Sequence, residues 1–325
     1  MIVCTEAQIR AHIQQNFQIV KAMETGFSRH SAGEVTMPSI MRIDFPEQHG
    51  EIDIKSAYVH GLNQFAVKMS TGFFKNQRLG LPSGNGMMLV FSAETGIPLA
   101  VLLDNGYLTH LRTAAAGAVA ANFLANETVE AVGLIGTGAQ SRYQLEALQL
   151  VRQFPKLYVH GRKVDNVRKF ITDIRGIYSG EVIVCESAEE LVRNSGLVIT
   201  TTPAESPLIQ AEWLHPGLHI TAIGADAEHK NELDPAIFSK ADRIVCDSKS
   251  QCSRLGELHH AYEANILDAQ TPVEEIGAIV SEAKPDRREK DSITVCDLTG
   301  TGVQDTMIAA YAYELLSKSN AGTVY

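Results

Sequence analysis

The sequence predicts an α/β protein that combines a doubly wound parallel sheet with a second, mixed α/β domain. The apolar run at residues 129–135 leads into closely spaced glycines and then into a helix-like segment, residues 140–154. Short β-rich runs then alternate with helix-like segments as far as residue 297. This alternation is typical of a parallel sheet whose strands are joined by crossover helices.

The N-terminal part of the chain predicts the mixed α/β domain. The first 25 residues are expected to form a helix, and alternating apolar runs predict strands within 57–69 and 87–103. Glycine and proline residues mark the turns between these runs. A helix rich in small residues is expected to begin near residue 108 and to lead directly into the glycine turn.

The second domain is expected to begin near residue 120. After the glycine turn, its expected strands are residues 156–160, 181–185, 197–202, 219–224, 243–247 and 293–297. The last helix-like segment, residues 303–318, is expected to pack back against the N-terminal region. The predicted division is therefore residues 1–120 with 303–325 for one domain and residues 121–302 for the other.

The composition of the 325 residues restricts the class of protein. A formal net charge of −10, spread without a basic block, argues against nucleic acid and an anionic membrane surface as partners. The sequence has no apolar run of the roughly 18 residues that a membrane span needs. Its N-terminus also lacks the basic start and apolar core of a signal peptide. We therefore expect a cytoplasmic protein.

The five cysteines are widely spaced and odd in number, and the sequence contains no Cys-x-x-Cys pair. Neither a disulfide framework nor a structural zinc site is expected from this pattern. The spacing of Cys252 from His259 and His260 matches no common set of metal ligands. No metal site is predicted.

The glycine turn at residues 136–141 has the pattern Gly-x-Gly-x-x-Ser. Gly136 permits a tight turn, and Gly138 permits the backbone to approach a pyrophosphate, to which the following helix would present unpaired N–H groups. Ser141 stands where the dinucleotide-binding pattern has a third glycine. An ordinary glycine turn between a strand and a helix is therefore the alternative to a dinucleotide site.

The strand after this helix ends in His160-Gly161-Arg162-Lys163, so no acidic residue is present to accept the hydroxyl groups of an adenosine ribose. Arg162 and Lys163 would instead suit a 2′-phosphate. On this ground the sequence favours NADPH over NADH. The alternative is that both side chains are solvated loop charges.

Three separated motifs resemble the ornithine cyclodeaminase and mu-crystallin family. They are Leu-Thr-His-Leu-Arg-Thr at 108–113, Ile-Gly-Thr-Gly-Ala-Gln at 135–140, and the segment 222–234 that begins Ala-Ile-Gly-Ala-Asp. The resemblance covers essentially the whole chain, and three motifs in the right order are far more specific than the glycine turn alone.

Further segments resemble particular branches of this family. Residues 50–58, 254–260 and 297–305 look most like the cyclodeaminase-type proteins of ectoine utilisation. Thr-Thr-Thr-Pro at 200–203 and Ala-Glu-Trp at 211–213 are similar to the archaeal alanine dehydrogenases.

The resemblance implies a Rossmann domain in the middle of the chain and a substrate-binding domain through which two chains form a homodimer. It also implies that Arg42, Lys68 and Arg112 hold the carboxylate of a small substrate, a role that suits guanidinium and ammonium groups. Lys68 could in addition supply a proton. Asp53 matches an acidic pocket residue that is usually a glutamate. Without the resemblance, Arg42 and Lys68 would be interpreted as surface charges, and Arg112 as a pairing or capping residue.

Asp226 follows an expected strand at the kind of strand end where doubly wound sheets build their active sites. In the cyclodeaminases of the family, the matching aspartate handles the substrate amine or activates water, so the resemblance implies a catalytic role for Asp226. In mu-crystallin the matching position is not acidic, which favours an enzyme over a ligand carrier. The alternative for Asp226 is a helix N-cap or an Asx turn.

The glycine turn and the resemblance together predict a set of cofactor-binding residues: Ser83, Thr113, Gly136, Thr137, Gly138, Ala139, Gln140, Arg162, Thr201, Thr202, Gly224 and Lys230. Leu298 replaces a serine that is frequent in the family, which removes one expected cofactor hydrogen bond, although Thr299 could replace it. A structural role is expected for His259 and His260, with substrate contact by one of them as the alternative.

The leading hypothesis is an NAD(P)H-dependent reductase that delivers hydride to the α-carbon of a small 2-imino acid, such as a four-carbon or cyclic imine of ectoine-type catabolism. In it, Asp226 and Lys68 are the catalytic candidates. One alternative is a redox-neutral cyclodeaminase that releases ammonia from ornithine or a related diamino acid. The other alternative is a ligand carrier like mu-crystallin, which binds NADPH and a carboxylate without chemistry.

Overall fold

The computed structural model describes residues 1–282 and 289–325. Its α-helices are α1 (Glu6–His12), α2 (Phe17–Ser31), α3 (Tyr107–Leu124), α4 (Ala139–Leu148), α5 (Val164–Ile174), α6 (Ala188–Arg193), α7 (Lys249–Cys252), α8 (Gly256–Glu263), α9 (Ile276–Ser281) and α10 (Gly302–Lys318). Its strands are β1 (Ile2–Thr5), β2 (Val35–Thr36), β3 (Met41–Phe45), β4 (Gly50–Val59), β5 (Gln64–Phe73), β6 (Gly84–Ser92), β7 (Pro98–Leu103), β8 (Ala131–Ile135), β9 (Lys156–His160), β10 (Glu181–Val184), β11 (Leu197–Thr200), β12 (Glu205–Ile209), β13 (His219–Ala222), β14 (Asn231–Leu233), β15 (Arg243–Cys246), β16 (Glu274–Glu275), β17 (Thr294–Asp297) and β18 (Thr323–Val324).

The chain divides into two compact units. The first unit contains Met1–Arg112 and Thr301–Tyr325, and the second contains Thr113–Gly300. The first boundary therefore lies within α3, and the second lies directly before α10. Among the helices of the described residues, none has both the length and the apolar character that a membrane span requires.

The first unit is built on a mostly antiparallel sheet. Its strand order is β18-β1-β7-β6-β5-β4-β2, and β3 pairs with β4. Strands β4 to β7 are antiparallel neighbours in chain order, whereas β1 pairs with β7 in parallel. Helix α10 packs on β4, β5 and α2. The C-terminal helix therefore covers the sheet that the N-terminal segment forms.

The start of α10 lies so close to β4 that its first residue has no room for a side chain. A Cβ on Gly302 would lie 2.3 Å from the carbonyl oxygen of Ser56. Thr301 is the N-cap of α10, and its backbone N–H donates to the side chain of Gln304 over 2.7 Å. The close approach of Gly302 to Ser56 and this N-cap hydrogen bond together define the position at which α10 begins on the sheet.

The N-terminus differs from the helix that was expected to extend over the first 25 residues. It forms β1 and then two helices, α1 and α2. Asn16 starts α2, because its side chain accepts hydrogen bonds from the backbone N–H groups of Gln18 and Ile19. Apolar spacing alone did not reveal this interruption, because an N-cap is a local polar signal.

The second unit contains the doubly wound parallel sheet that the sequence predicts. Its strand order is β10-β9-β8-β11-β13-β17-β15-β16, and neighbouring strands are parallel. All residues of β8, β11 and β13 are buried, as expected for strands covered on both faces. The predicted α/β fold class is confirmed. The sequence analysis missed β12 and β14, which form a separate two-stranded parallel pair.

The order in which successive strands are added to this sheet reverses at β8, since β9 and β10 lie on one side of β8 and the later strands lie on the other. Such a topological switch point is where doubly wound sheets open a crevice at the carboxyl ends of their strands. The glycine turn follows β8 directly, so it lies at this point.

Candidate functional site

Three charged side chains form a buried ion-pair cluster in the first unit. Lys68 on β5 places its Nζ 2.9 Å from Oδ2 of Asp305 on α10. The Nε of Arg112, on α3, lies 3.0 Å from Oδ1 of the same carboxylate. All three side chains are at least nine-tenths buried, and Arg112 also donates to Gln304 over 3.2 Å. Two of the predicted substrate-binding cations are therefore brought together by one carboxylate.

The strand pattern explains why Lys68 points into the unit. On β5, Ala66 and Lys68 are buried, because alternate residues of a strand face the same side. Lys55 lies directly opposite Lys68 on β4 and is also buried. This third cation was missed by the sequence analysis, although its position two residues from both Asp53 and Ala57 is the alternation that could have revealed it.

Burial and charge together shift the titration of this cluster. Burial lowers the pKa of Lys68 to about 8, and the positive charges of Arg112 and Lys55 act in the same direction, while Asp305 opposes them. Burial alone would raise the pKa of Asp305, but the charges of Arg112, Lys68 and Lys55 hold it below its ordinary value. Asp305 is therefore ionised at neutral pH, and Lys68 loses its proton within the range of mildly basic pH.

A second group at the same sheet contains Arg42 and Asp53, which are opposite each other on β3 and β4. Arg42 lies 2.9 Å from Asp44, 2.5 Å from Glu51 and 3.5 Å from Asp53. Burial would lower the pKa of Arg42, but Glu51 and Asp53 raise it above its ordinary value. The structure thus places this predicted substrate-binding cation among carboxylates, and its guanidinium is permanently charged.

Asp104 is a further buried carboxylate of the first unit that the sequence analysis missed. It follows β7 and accepts a hydrogen bond from the backbone N–H of Leu108 over 2.8 Å. Burial raises the pKa of Asp104 to about 6, although hydrogen bonds and the charge of Lys68 oppose this shift. Ser83, predicted to bind cofactor, also lies in this unit, and its carbonyl oxygen accepts from the backbone N–H of Phe73.

In the second unit, the glycine turn leads into α4 and leaves the N-terminus of this helix exposed. Gly136 has a φ of +110°, which disfavours any residue with a Cβ, and its N–H donates to the carbonyl of His160 over 2.9 Å. Gly138 is the N-cap of α4, and a Cβ built there would meet no atom within 4 Å. The first turn of α4 is therefore uncovered, which fits an anion at a helix N-terminus.

Ser141 explains how the turn tolerates the missing third glycine. The hydroxyl of this buried residue donates to the carbonyl of Gly136 over 2.9 Å, and it lies 2.7 Å from the hydroxyl oxygen of Thr201. A polar side chain at this position is therefore satisfied internally and leaves the turn intact. The predicted residues Thr137, Ala139 and Gln140 lie in the same turn and at the start of α4.

The loop after β9, where the sequence analysis expects the adenosine ribose, is basic. β9 ends at His160, whose Nδ1 lies 3.1 Å from the carbonyl oxygen of Cys185. Arg162 and Lys163 follow it in the loop before α5, and both side chains are exposed. Gly161 lies close to Thr137, since a Cβ at position 161 would be 2.9 Å from the methyl carbon of that threonine.

The loop after β13 carries the predicted catalytic residue. Lys230 Nζ lies 2.6 Å from Oδ1 of Asp226, and Lys230 is buried whereas the Asp226 side chain is 40 % exposed. The carbonyl oxygen of Lys230 lies 2.9 Å from Nε2 of His260 on α8. His260 therefore contacts the backbone of this loop, and His259 lies 3.5 Å from Glu263.

The remaining predicted cofactor residues lie at neighbouring positions in the second unit. Thr201 and Thr202 follow β11, and Gly224 follows the adjacent strand β13. The carbonyl oxygen of Thr113 accepts from the side chain of Gln144 over 3.1 Å. Thr299, considered as a substitute for the absent serine, donates its hydroxyl to Asp247 over 3.0 Å.

The described residues contain no group of three or more His, Cys, Asp or Glu side chains arranged to hold a metal ion. The five cysteines are free thiols, and all of them are buried. Burial raises the pKa of the Cys252 thiol well above its ordinary value. A buried thiol of this kind is a poor nucleophile.

A family model identifies the family of the chain. The model described as the ornithine cyclodeaminase/mu-crystallin family matches residues 1–320. The chain belongs to this family. The family prediction made from the three motifs is therefore confirmed.

Relatives in this family match the chain over almost its full length. A protein of Sinorhizobium fredii that is named an uncharacterised cyclodeaminase is 43% identical and covers 100% of this chain and 98% of its own. The alanine dehydrogenase of Archaeoglobus fulgidus is 32% identical and covers 99% of this chain and 97% of its own.

Solved structures of family members superpose closely. The Δ1-pyrroline-2-carboxylate reductase of Thermococcus litoralis, in complex with NADH and L-proline, has a TM-score of 0.94 and 27% identity, with 100% of both chains covered. An archaeal alanine dehydrogenase dimer with bound NAD has a TM-score of 0.91 and 31% identity, covering 99% of this chain and 98% of its own. The iminosuccinate reductase of Paracoccus denitrificans, in complex with NAD⁺, has a TM-score of 0.87 and 27% identity, covering the same shares. The predicted class, an NAD(P)-dependent reductase or cyclodeaminase of this family, is confirmed.

Asp305→Asn tests the buried ion-pair cluster. The change leaves Lys68 and Arg112 as buried charges without a counter-ion, so we expect the free energy of unfolding to fall by about 3–5 kcal/mol. Asp173→Asn is the matched control, because Asp173 pairs with Arg142 in a partly exposed position and should cost less than about 1 kcal/mol. Urea unfolding measures both, and equal small losses would show that Asp305 does not compensate the two cations.

Proposed function

We propose that this enzyme uses NAD(P)H to reduce the C=N bond of a small 2-imino acid to the corresponding 2-amino acid. The observation that carries this proposal is the buried cluster of Lys68, Arg112 and Asp305, in which two cations share one carboxylate. Lys55 is a third buried cation beside them, and a substrate carboxylate would add a second negative charge to this cluster. A buried unbalanced charge is costly, and for this reason the cluster supports an anionic substrate.

In this proposal, Arg112 binds the substrate carboxylate and Lys68 donates a proton. The guanidinium of Arg112 is planar and suits a carboxylate, and Asp305 holds it in place through Nε. Lys68, whose pKa burial lowers to about 8, keeps a proton at neutral pH and can release it more readily than an exposed lysine. Lys68 Nζ would donate that proton to the nitrogen of the substrate. Arg42 and Asp53 remain proposed as further contacts with the substrate.

The second unit would hold the cofactor. The uncovered N-terminus of α4, with Gly136 and Gly138 before it, supports binding of a pyrophosphate. A nicotinamide nucleotide, when bound, supplies hydride to the α-carbon of the substrate. Asp226 is the proposed acid or base for the substrate amine. Lys230 Nζ donates to Oδ1 of Asp226 over 2.6 Å and so orients this carboxylate.

The cofactor proposal extends to NADPH. Arg162 and Lys163 are exposed at the end of β9, and no acidic side chain follows this strand before α5. Two cations at this place support recognition of a 2′-phosphate, whereas NAD recognition relies on an acidic residue there.

Two further properties are proposed for the protein as a whole. A homodimer formed through the first unit is supported by the exposed apolar side chains of Met41, Ile43 and Phe45 on β3, and by the archaeal alanine dehydrogenase dimer. A cytoplasmic location is supported by the five free thiols.

A redox-neutral cyclodeaminase is the second candidate. The pairing of Asp226 with Lys230 favours it, because an oriented carboxylate suits the handling of a substrate amine, and the relative from Sinorhizobium fredii is named a cyclodeaminase. Such an enzyme would release ammonia and return the hydride to the product, so that the cofactor is not consumed.

A panel of substrates separates the two candidates. We expect purified protein to consume NADPH or NADH, followed by loss of absorbance, with at least one of iminosuccinate, 1-pyrroline-2-carboxylate, or pyruvate plus ammonia. Four-carbon and cyclic imines are placed first because of the resemblance to ectoine-utilisation proteins. Ammonia release from ornithine, lysine or 2,4-diaminobutyrate without net consumption would favour the cyclodeaminase. Binding of cofactor and carboxylate without any turnover would indicate a ligand carrier.

The pH dependence of the reaction tests Lys68. Its pKa is lowered to about 8, so the ammonium form is lost as pH rises through this value, and we expect kcat to fall on the basic side. Lys68→Arg keeps a positive charge that does not titrate. This variant should lose about 10²–10⁴-fold in kcat and should also lose the basic limb of the profile. A wild-type rate that stays constant to high pH would rule out Lys68 as proton donor.

Arg162→Asp tests the preference for NADPH. We expect the ratio of kcat/KM for NADPH to that for NADH to fall at least about tenfold, because one charged hydrogen bond to a phosphate is worth about 1.5–3 kcal/mol. Arg168→Asp is the control, since Arg168 lies on α5 with a side chain that is 77 % exposed. An unchanged ratio in the Arg162 variant would exclude the proposed contact.

A further inference from the structure

Glu232 occupies an unusual position in the second unit, because its carboxylate is completely buried and accepts hydrogen bonds from two separate loops. Thr200 at the end of β11 donates through its hydroxyl over 2.6 Å. Thr202 donates through its backbone N–H over 2.6 Å and through its hydroxyl over 2.7 Å. The backbone N–H of Gly224, after β13, donates over 2.8 Å.

We propose that Glu232 is a positioning residue for the cofactor: its carboxylate joins the loop after β11 to the loop after β13 and fixes the residues that would hold the nicotinamide nucleotide. This inference rests on the proposed function, since the roles of Thr201, Thr202, Gly224 and Lys230 toward the cofactor belong to that proposal.

The two loops that Glu232 joins are in direct backbone contact. A Cβ on Gly224 would lie 2.1 Å from the carbonyl oxygen of Thr202 and 2.5 Å from Oε2 of Glu232. Only glycine fits this close approach. The spacing of the two strand ends is therefore set by the pair of Gly224 and the Glu232 carboxylate, at the carboxyl edge where doubly wound sheets bind ligands.

A second buried carboxylate fixes the backbone of Glu232. The carboxylate of Glu257, on α8, accepts from the backbone N–H of Glu232 over 2.8 Å, from that of Leu233 over 2.9 Å, and from the side chain of Asn231 over 2.8 Å. Glu257 thus holds β14 in place, and β14 aims Glu232 at the loops. The segment between Gly224 and Glu232 contains Asp226 and Lys230, so the same anchor ends the loop that carries both of them.

The electrostatics of the Glu232 and Glu257 carboxylates support a functional role in addition to any role in stability. Burial raises the pKa of Glu257 to about 8, and the neighbouring charge of Glu232 acts in the same direction. Burial also raises the pKa of Glu232, whereas its hydrogen-bond donors lower it because they favour the ionised form. Two adjacent buried carboxylates are unfavourable for folding by themselves. The proposal accounts for this unfavourable pair, because the four groups that donate to Glu232 must be held in one fixed geometry.

Glu232→Gln is the direct test, because the amide has nearly the same shape but its nitrogen cannot accept a hydrogen bond from the loops. The first measurement is the Kd of NADH and of NADPH, from nucleotide fluorescence in the absence of substrate. We expect the Kd of the tighter nucleotide to rise at least about tenfold, because hydrogen bonds to a charged group are lost. In turnover, KM for the nucleotide should rise by a similar factor, while KM for the substrate changes less than about twofold.

Thr200 provides a second pair of variants that does not depend on the folding of the glutamine variant. Thr200→Val removes one donor to Glu232 and should raise the Kd about threefold or more, whereas Thr200→Ser keeps the hydroxyl and should restore nucleotide binding. Glu181→Gln is the control for the charge change, since Glu181 is exposed on the edge strand β10.

The outcomes separate the inference from the proposed function. Wild-type protein that binds neither NADH nor NADPH would overturn the proposed function, and the inference with it. Wild-type protein that binds nucleotide, together with a folded Glu232→Gln variant of unchanged Kd, would overturn the inference alone. If that variant does not fold, equal Kd values for Thr200→Val and wild type would overturn it in the same way.

Discussion

The first unit depends on one buried carboxylate that neutralises cations from distant parts of the chain. Asp305 lies on the C-terminal helix, whereas its partners lie on β5 and at the boundary within α3. A charge buried to this degree is tolerated only when it is paired, so the ion pairs require α10 to seat on the sheet with Asp305 facing Lys68. The close contact of Gly302 with Ser56 provides the matching steric condition.

The second unit also depends on a buried carboxylate, but there the carboxylate accepts hydrogen bonds from loop N–H groups. Its parallel sheet brings several strand ends to one edge, and each strand end leaves loop N–H groups that need partners. After β11 and β13, the N–H groups of Thr202 and Gly224 find this partner in the buried carboxylate of Glu232, whereas those of Thr201 and Ile223 donate to backbone carbonyls of neighbouring strands. At β8 the turn keeps its helix N-terminus uncovered, because Gly138 has no side chain and Ser141 directs its hydroxyl inwards. The same sheet edge thus contains both loops whose N–H groups are satisfied and one helix N-terminus that is exposed.

The chemistry proposed for the enzyme follows from this division of roles. Burial destabilises the charged form of the Lys68 side chain. The pKa of Lys68 therefore falls to about 8, which is closer to neutral pH than the pKa of an exposed lysine. Arg42, in contrast, is surrounded by Asp44, Glu51 and Asp53 and keeps its proton. The two cations therefore differ in their titration, although both lie in the same sheet, on β5 and β3 with β4 between them.

The sequence by itself determined the features that arise from local order. The apolar runs predicted β8, β9 and the later parallel strands, and the glycine spacing predicted the turn at Gly136. Resemblance of motifs identified the family. The sequence did not predict that Asn16 starts a separate helix, because the apolar spacing continues past it.

Only the tertiary structure decided which charged residues meet. Lys55 faces Lys68 because of the register of β4 and β5, and Asp305 reaches both Lys68 and Arg112 from the far end of the chain. The hydrogen bonds of Glu232 with Thr202 and with the carboxylate of Glu257 likewise join residues that are 30 and 25 positions apart in sequence. Register and long-range packing are set by the whole core, so no local pattern of residue types encodes them.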